Sequence, residues 1–167
     1  MAGLRVCVIG CGDIVEKSHM DHWAANPDAF IHSTVDVDEE RARATAQRTG
    51  AARWHTDYRE AVQASDIDLV DIALPHQLHR EATVAAAAAG KPILCEKPMA
   101  MSVADAAAMN QAAAQAGVPL SIRHTLRYDA VYAEMRRRVQ AGDVGEPLYA
   151  AIHTGGLIPC ERLAGLP

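Results

Sequence analysis

The hexapeptide Gly10-Cys11-Gly12-Asp13-Ile14-Val15 has the types and spacing that grip a phosphate. It opens the pattern G-x-G-x-x-G/A: the first glycine permits a tight turn, and the second lets the backbone approach a pyrophosphate. The helix that follows offers free N–H groups and a partial positive charge. The third position holds Val15 in place of a small residue, and its bulk is expected to push the helix slightly off the strand and loosen the fit. Asp36 follows about two dozen residues later. A carboxylate there accepts hydrogen bonds from ribose hydroxyls and repels a 2′-phosphate, and Asp38 adds to the repulsion. Gly10, Cys11, Gly12, Asp13, Ile14 and Asp36 are therefore expected to bind NAD in preference to NADP.

A second group of residues lies further on. Ala73-Leu74-Pro75-His76-Gln77-Leu78-His79 closes one apolar run, and Cys95-Glu96-Lys97-Pro98 closes the next. Lys97 is the candidate catalytic group. A lysine beside a nicotinamide can donate or relay a proton while a hydride moves, and its charge can stabilise a developing alkoxide.

These residues act together only if the elements between them place them at one edge. Leu4 to Ile9 reads as a buried strand, followed by a helix from Asp13 to about Ala25. Strands are expected at Phe30 to Val35, Ala52 to Trp54, Asp68 to Ala73, Pro92 to Cys95 and Leu120 to Arg123. Helices are expected at Glu39 to Thr49 (N-cap Asp38, stop Gly50), after Asp57, at Pro75 to Ala89, after Ser102 as far as Ala116, and at Tyr128 to Ala141. Strand and helix alternate throughout. That argues an α/β fold, a doubly wound parallel sheet of the Rossmann dinucleotide-binding type, with the strand ends beside a ligand crevice. Residues 1–125 make that domain, and 126–167 make a connecting helix and the first strand of an incomplete second domain. The alanine clusters read as helix faces packed closely on a sheet.

Composition narrows the classes. Half of the 167 residues are apolar and 22% are charged, which suits a packed core and excludes a disordered chain. The net charge of −5 excludes a broadly basic nucleic-acid surface; the run Arg136-Arg137-Arg138 falls inside a helical pattern and reads as a solvated face. Cys7, Cys11, Cys95 and Cys160 form no C-x-x-C pair, so no zinc ribbon is expected. Cys11 reads first as a small residue in the phosphate turn; second to that, its place beside a helix N-terminus is a setting that lowers a thiol pKa. With no signal peptide and no apolar stretch of bilayer length, the chain is expected to be cytoplasmic and off the membrane. His19 with His22, and His76 with His79, are spaced to share a helix face, but no third ligand accompanies them, so ordinary surface or pocket histidines and no metal are expected. Asp66 and Asp68 read as loop solvation, and Trp23 and Trp54 as packing residues.

The segments Val8 to Asp13, Val35-Asp36, Asp68 to Pro75, His79, Ala89-Gly90-Lys91 and Glu96-Lys97-Pro98, in this order, resemble the glucose–fructose oxidoreductase and inositol dehydrogenase family, the Gfo/Idh/MocA type. His124 to Tyr128 and Gly142 to Gly145 resemble it too. The resemblance implies NAD(P)-dependent hydride transfer to or from a sugar, cyclitol or similar polyhydroxy compound. It places Lys97 beside nicotinamide and substrate, with Ala73, Leu74, Pro75, His76, His79, Glu96, Pro98 and Arg127 lining the cofactor pocket. It also implies a second domain carrying an Asp-x-x-x-His-like pair. No such pair follows Gly145, so a truncated substrate domain is expected. The alternative function is a nucleotide-binding module without turnover. If Leu148 to His153 forms a strand, its unpaired apolar edge favours disorder after Gly145 or self-association, and a homo-oligomer or a complementing chain is the expected partner.

Overall fold

The apolar run Leu4–Ile9 forms strand β1, and its side chains divide between two layers. Val6 and Val8 enter one buried cluster, Cys7 and Ile9 the other, as the two-residue period of a strand requires when both faces are covered. The structure, a computed structural model, describes residues 3–151. After β1 the chain is helical over 13–24, with Val15–His19 wound as a π-helix leading into α1 (Met20–Ala24). Then follow β2 (Ala29–Val35), α2 (Glu39–Thr49), β3 (Arg53–His55), α3 (Tyr58–Ala61) and β4 (Leu69–Ile72). A 3₁₀ turn (His76–Leu78) leads into α4 (His79–Ala88), followed by β5 (Ile93–Cys95), α5 (Val103–Ala116) and β6 (Leu120–Ile122).

The six strands form one sheet in the order β3-β2-β1-β4-β5-β6, and every neighbouring pair is parallel. The doubly wound fold expected from the alternation is the fold observed. The order reverses between β1 and β4, and the crevice at such a reversal is where this architecture takes ligands. The larger core lies under α4 and α5 and includes Ile9, Val70, Ile72, Ile93 and Met109; the smaller, around Val6, Val8, Val15 and Ile31, lies under α1. Each fully buried aliphatic side chain contributes ~1.5–3 kcal/mol.

Local chemistry sets the element ends. The Asp38 carboxylate accepts from the N–H groups of Glu40 and Arg41, and Gly50 closes α2 in the left-handed region. Ser102 caps α5 in the same way, and Gly117 ends it. Most strand ends lie within a residue of expectation, and the differences at β3, α4 and the last helix are these. β3 lies one residue later, at Arg53–His55. The segment after Pro75 first makes a 3₁₀ turn, so α4 begins at His79. The last helix begins at Ala130 because the Asp129 carboxylate caps it, accepting from Val131 and Tyr132.

The chain divides into two compact units, residues 1–124 and 125–167. The described part of the second holds a 3₁₀ turn (Thr125–Tyr128), α6 (Ala130–Ala141) and a turn to Gly145. Residues 148–151 carry no strand, and the rest of the strand expected at Leu148 to His153 lies outside the described residues, as does Cys160.

Candidate cofactor site

Gly10 leaves β1 with φ +97°, and a Cβ there would stand 2.5 Å from the Ala73 carbonyl oxygen. Its N–H donates to the Val35 carbonyl at 2.8 Å. Glycine is thus required on two counts, backbone angle and close approach to β4. Gly12 differs. A Cβ there would meet no protein atom within 4 Å, so its missing side chain leaves room above the turn. The N–H groups of Val15 and Glu16 both donate to the Gly12 carbonyl as the helix starts. The first N–H groups of a helix have no intrahelical partner and favour an anion.

Asp36 stands where β2 ends and reaches back to the turn. Its Oδ2 accepts from the Cys11 N–H at 2.8 Å and its Oδ1 from the Asp38 N–H at 3.0 Å. A carboxylate offers about four acceptor positions, so two remain for a ribose diol. An open cleft of about 300 Å³ adjoins the turn, lined by Cys11, Gly12, Asp13, Glu16, Arg41, Ala44 and Thr45. Asp13 pairs with Lys17 at the surface, and Ile14 is partly exposed. A turn with room over Gly12, a helix start and a half-used carboxylate fit a dinucleotide.

One secondary reading of this turn is corrected. Cys11 is not activated: it is buried, its Sγ lies 3.6 Å from the Val35 carbonyl oxygen, and burial pushes its thiol up to about 11. Loss of solvent at the thiolate outweighs the helix terminus. Val15 is fully buried in the smaller core, and the π winding begins at this residue.

The second group gathers at the ends of β4 and β5. Ala73 is buried, while Pro75 and His76 are exposed. The His79 ring is fully buried, with its nitrogens 2.9 and 3.0 Å from the carbonyl oxygens of Leu74 and Pro98. It braces the two strand-end segments against each other and turns no atom outward. Lys97 is exposed, joined to Pro98 by a cis peptide, and its N–H donates to Glu96 Oε2 at 2.9 Å. Arg127 belongs to the second unit, where it is exposed on the opening 3₁₀ turn.

A buried polar network beneath Lys97 was not among the expectations. His19, expected at a surface or pocket, is fully buried. Its Nδ1 lies 2.8 Å from Asp71 Oδ2, and its Nε2 lies 3.0 Å from Glu96 Oε1. Trp23 does more than pack: its indole N–H donates to the same Asp71 oxygen at 2.7 Å. Arg123 donates to Glu96 Oε1 at 2.9 Å and to Ser18 Oγ at 2.8 Å. Burial works against charge on His19, but the Asp71 and Glu96 carboxylates outweigh it and raise its pKa. Burial likewise opposes ionisation of Glu96, and the hydrogen bonds from Arg123 and His19 override it and lower its pKa. A signal was available in the sequence: Asp71 interrupts the apolar strand Leu69–Ile72, and a buried carboxylate demands partners.

Asp66 and Asp68 are not loop solvation either. Asp68 accepts two hydrogen bonds from the Arg5 guanidinium and one from the Arg5 N–H, which hold its carboxyl well below the usual range. Asp66 pairs with His32 and Arg53. Trp54 is partly exposed, with the Arg43 guanidinium over its ring. Among the described residues no helix is long and apolar enough to cross a membrane.

Residues 4–124 match the Gfo/Idh/MocA oxidoreductase family, NAD-binding Rossmann fold. The chain belongs to this family. It is 34% identical over 145 residues to a D-apiose dehydrogenase from Paraburkholderia graminis, covering 87% of this chain and 38% of that protein. It is 30% identical over 146 residues to the scyllo-inositol 2-dehydrogenase (NAD(+)) of Bacillus subtilis, covering 87% and 43%. An oxidoreductase from Agrobacterium radiobacter, crystallised with NAD+, L-tartaric acid and magnesium, superposes with a TM-score of 0.81 at 30% identity, covering 87% and 42%. The chain thus spans about two fifths of the length of these relatives.

Proposed function

We propose that this chain is the NAD-binding part of an oxidoreductase acting on a sugar, cyclitol or similar polyhydroxy compound. The observation that carries it is the Asp36 carboxylate, tied to the Cys11 N–H beside the open face of Gly12 with acceptor positions left. In this reading Gly10, Cys11, Gly12, Asp13 and Ile14 receive the pyrophosphate, and Asp36 takes the adenosine ribose. Ala73, Leu74, Pro75, His76, Glu96, Lys97 and Pro98 border the nicotinamide half, with His79 bracing that border. Bound NAD would supply the hydride acceptor. Lys97 would take the proton of the substrate hydroxyl on its Nζ, or return it in the reverse direction, and its charge would steady the oxygen as it becomes an alkoxide. The second unit would begin the substrate domain, completed by further chain or by a partner chain. The D-apiose and scyllo-inositol dehydrogenases among the relatives support a polyhydroxy substrate. A cytoplasmic setting is part of this reading and suits the unpaired thiols Cys7, Cys11 and Cys95.

NAD is proposed over NADP because a 2′-phosphate would face the Asp36 carboxylate with Asp38 near it. Calorimetric titration of the chain with NADH and with NADPH tests the reading. NADH should bind, NADPH should bind more weakly, and Asp36→Ala should weaken NADH by about tenfold or more, the loss of hydrogen bonds to a charged acceptor. Absence of binding by either nucleotide would overturn it.

A further inference from the structure

The His19 imidazole joins the helix that opens at the phosphate turn to the strand end that carries Lys97. One nitrogen meets Asp71 of β4 and the other meets Glu96 after β5. Glu96 in turn holds the Lys97 N–H with its second oxygen, while Arg123 after β6 shares the first. Asp71, Glu96 and Arg123 are the charged groups facing the ring, and an imidazolium brings the cluster of four to neutrality. An imidazole with an acceptor at each nitrogen is satisfied only when both carry hydrogen. The assembly does not serve stability alone. Buried ion pairs gain little over well-packed apolar side chains, and Asp71 Oδ1 is left with no partner among the described residues. What the cluster does fix is the Glu96 carboxylate, and through it the backbone at Lys97.

We propose that His19 is a positioning residue that sets Lys97, through Glu96, at the nicotinamide end of the site. This rests on the reading above that Lys97 borders the nicotinamide. Its consequence is selective: loss of the His19–Glu96 bond should disturb the nicotinamide half and leave the adenosine half intact.

Two substitutions separate the two bonds of His19. An asparagine amide nitrogen sits as far along the side chain as Nδ1 and can keep Asp71; a glutamine amide nitrogen matches Nε2 and can keep Glu96. The 167-residue chain and both variants are titrated with NADH and with ADP-ribose, which lacks nicotinamide. His19→Gln should bind both ligands as the wild type does. His19→Asn should bind ADP-ribose normally and NADH about tenfold more weakly. In a Glu96→Ala background, which removes the carboxylate that His19 holds, His19→Asn should add nothing further. Parallel loss of both ligands in both variants, or no change in either, would overturn the proposal while leaving dinucleotide binding standing. A wild-type chain that binds neither ligand would overturn the dinucleotide reading and this role with it. Nitrogen NMR of the wild-type imidazole gives a check independent of variant folding: both His19 nitrogens should be protonated at neutral pH, and a singly protonated ring would overturn the bridge.

Discussion

Gly10 and Gly12 occupy one motif and do different work. A methyl group at Gly10 would collide with the Ala73 backbone at a φ that L residues rarely adopt. Gly10→Ala should therefore destabilise the fold by about 3 kcal/mol or more in urea unfolding, because neither backbone can yield without disturbing β1 or β4. Gly12→Ala meets open space, so its unfolding midpoint should stay near that of the wild type while NADH binding is lost. Equal stability losses for the two would refute this division. His19 and Glu96 predict opposite arms of a stability profile. The folded pKa of His19 is raised, so its stabilisation is complete below about 6.5 and fades as pH climbs through the raised value. The folded pKa of Glu96 is lowered, so its share is complete above about 4.3 and is lost in acid, as is that of Asp68 beside Arg5. Chemical denaturation from about pH 2 to 9 checks both: His19→Asn should lose the alkaline decline and keep the acid one. The strand-turn-helix setting of Gly10 and Gly12 was legible in the sequence because it lies within one short segment. His19, Asp71, Glu96 and Arg123 were not seen as a cluster, since their positions run from 19 to 123 and only folding brings them together.

At the scale of elements, what the sequence disclosed was local. The ends of α2 and α5 agreed with their caps because the capping bonds are made within three residues of the cap. Ser102→Ala should thus cost about 1 kcal/mol in thermal or urea unfolding, and Ser102→Asp should restore most of it. The first helix was legible as helix but not as a π-helix. Its winding over Val15–His19 places Val15 in the core and His19 on Asp71, contacts made across the sheet rather than along the chain. The start of α6 lies two residues past the expected one for a local reason, the Asp129 carboxylate that caps it.

For the whole molecule, the six-stranded order and both buried layers agree with the alternation of elements, since a parallel strand covered on both faces needs a continuous apolar run and a helix after it. Met109 of α5 is fully buried beneath the sheet, and Met109→Ala should cost about 2–5 kcal/mol in urea unfolding without changing the preference between NADH and NADPH. The sheet order also governs how the chain folds as it is made. β1 pairs with β2, as at Val6 with Ile31, but its other neighbour arrives only at Val6 with Leu69. Among the described residues no two strands are joined by a hairpin, so each pairing closes a long loop, and such topologies fold slowly. On the ribosome, the nascent chain must carry β1 with one edge bare until β4 has emerged. Until then its unsatisfied backbone invites other chains, and the interval is one in which a chaperone would have something to protect.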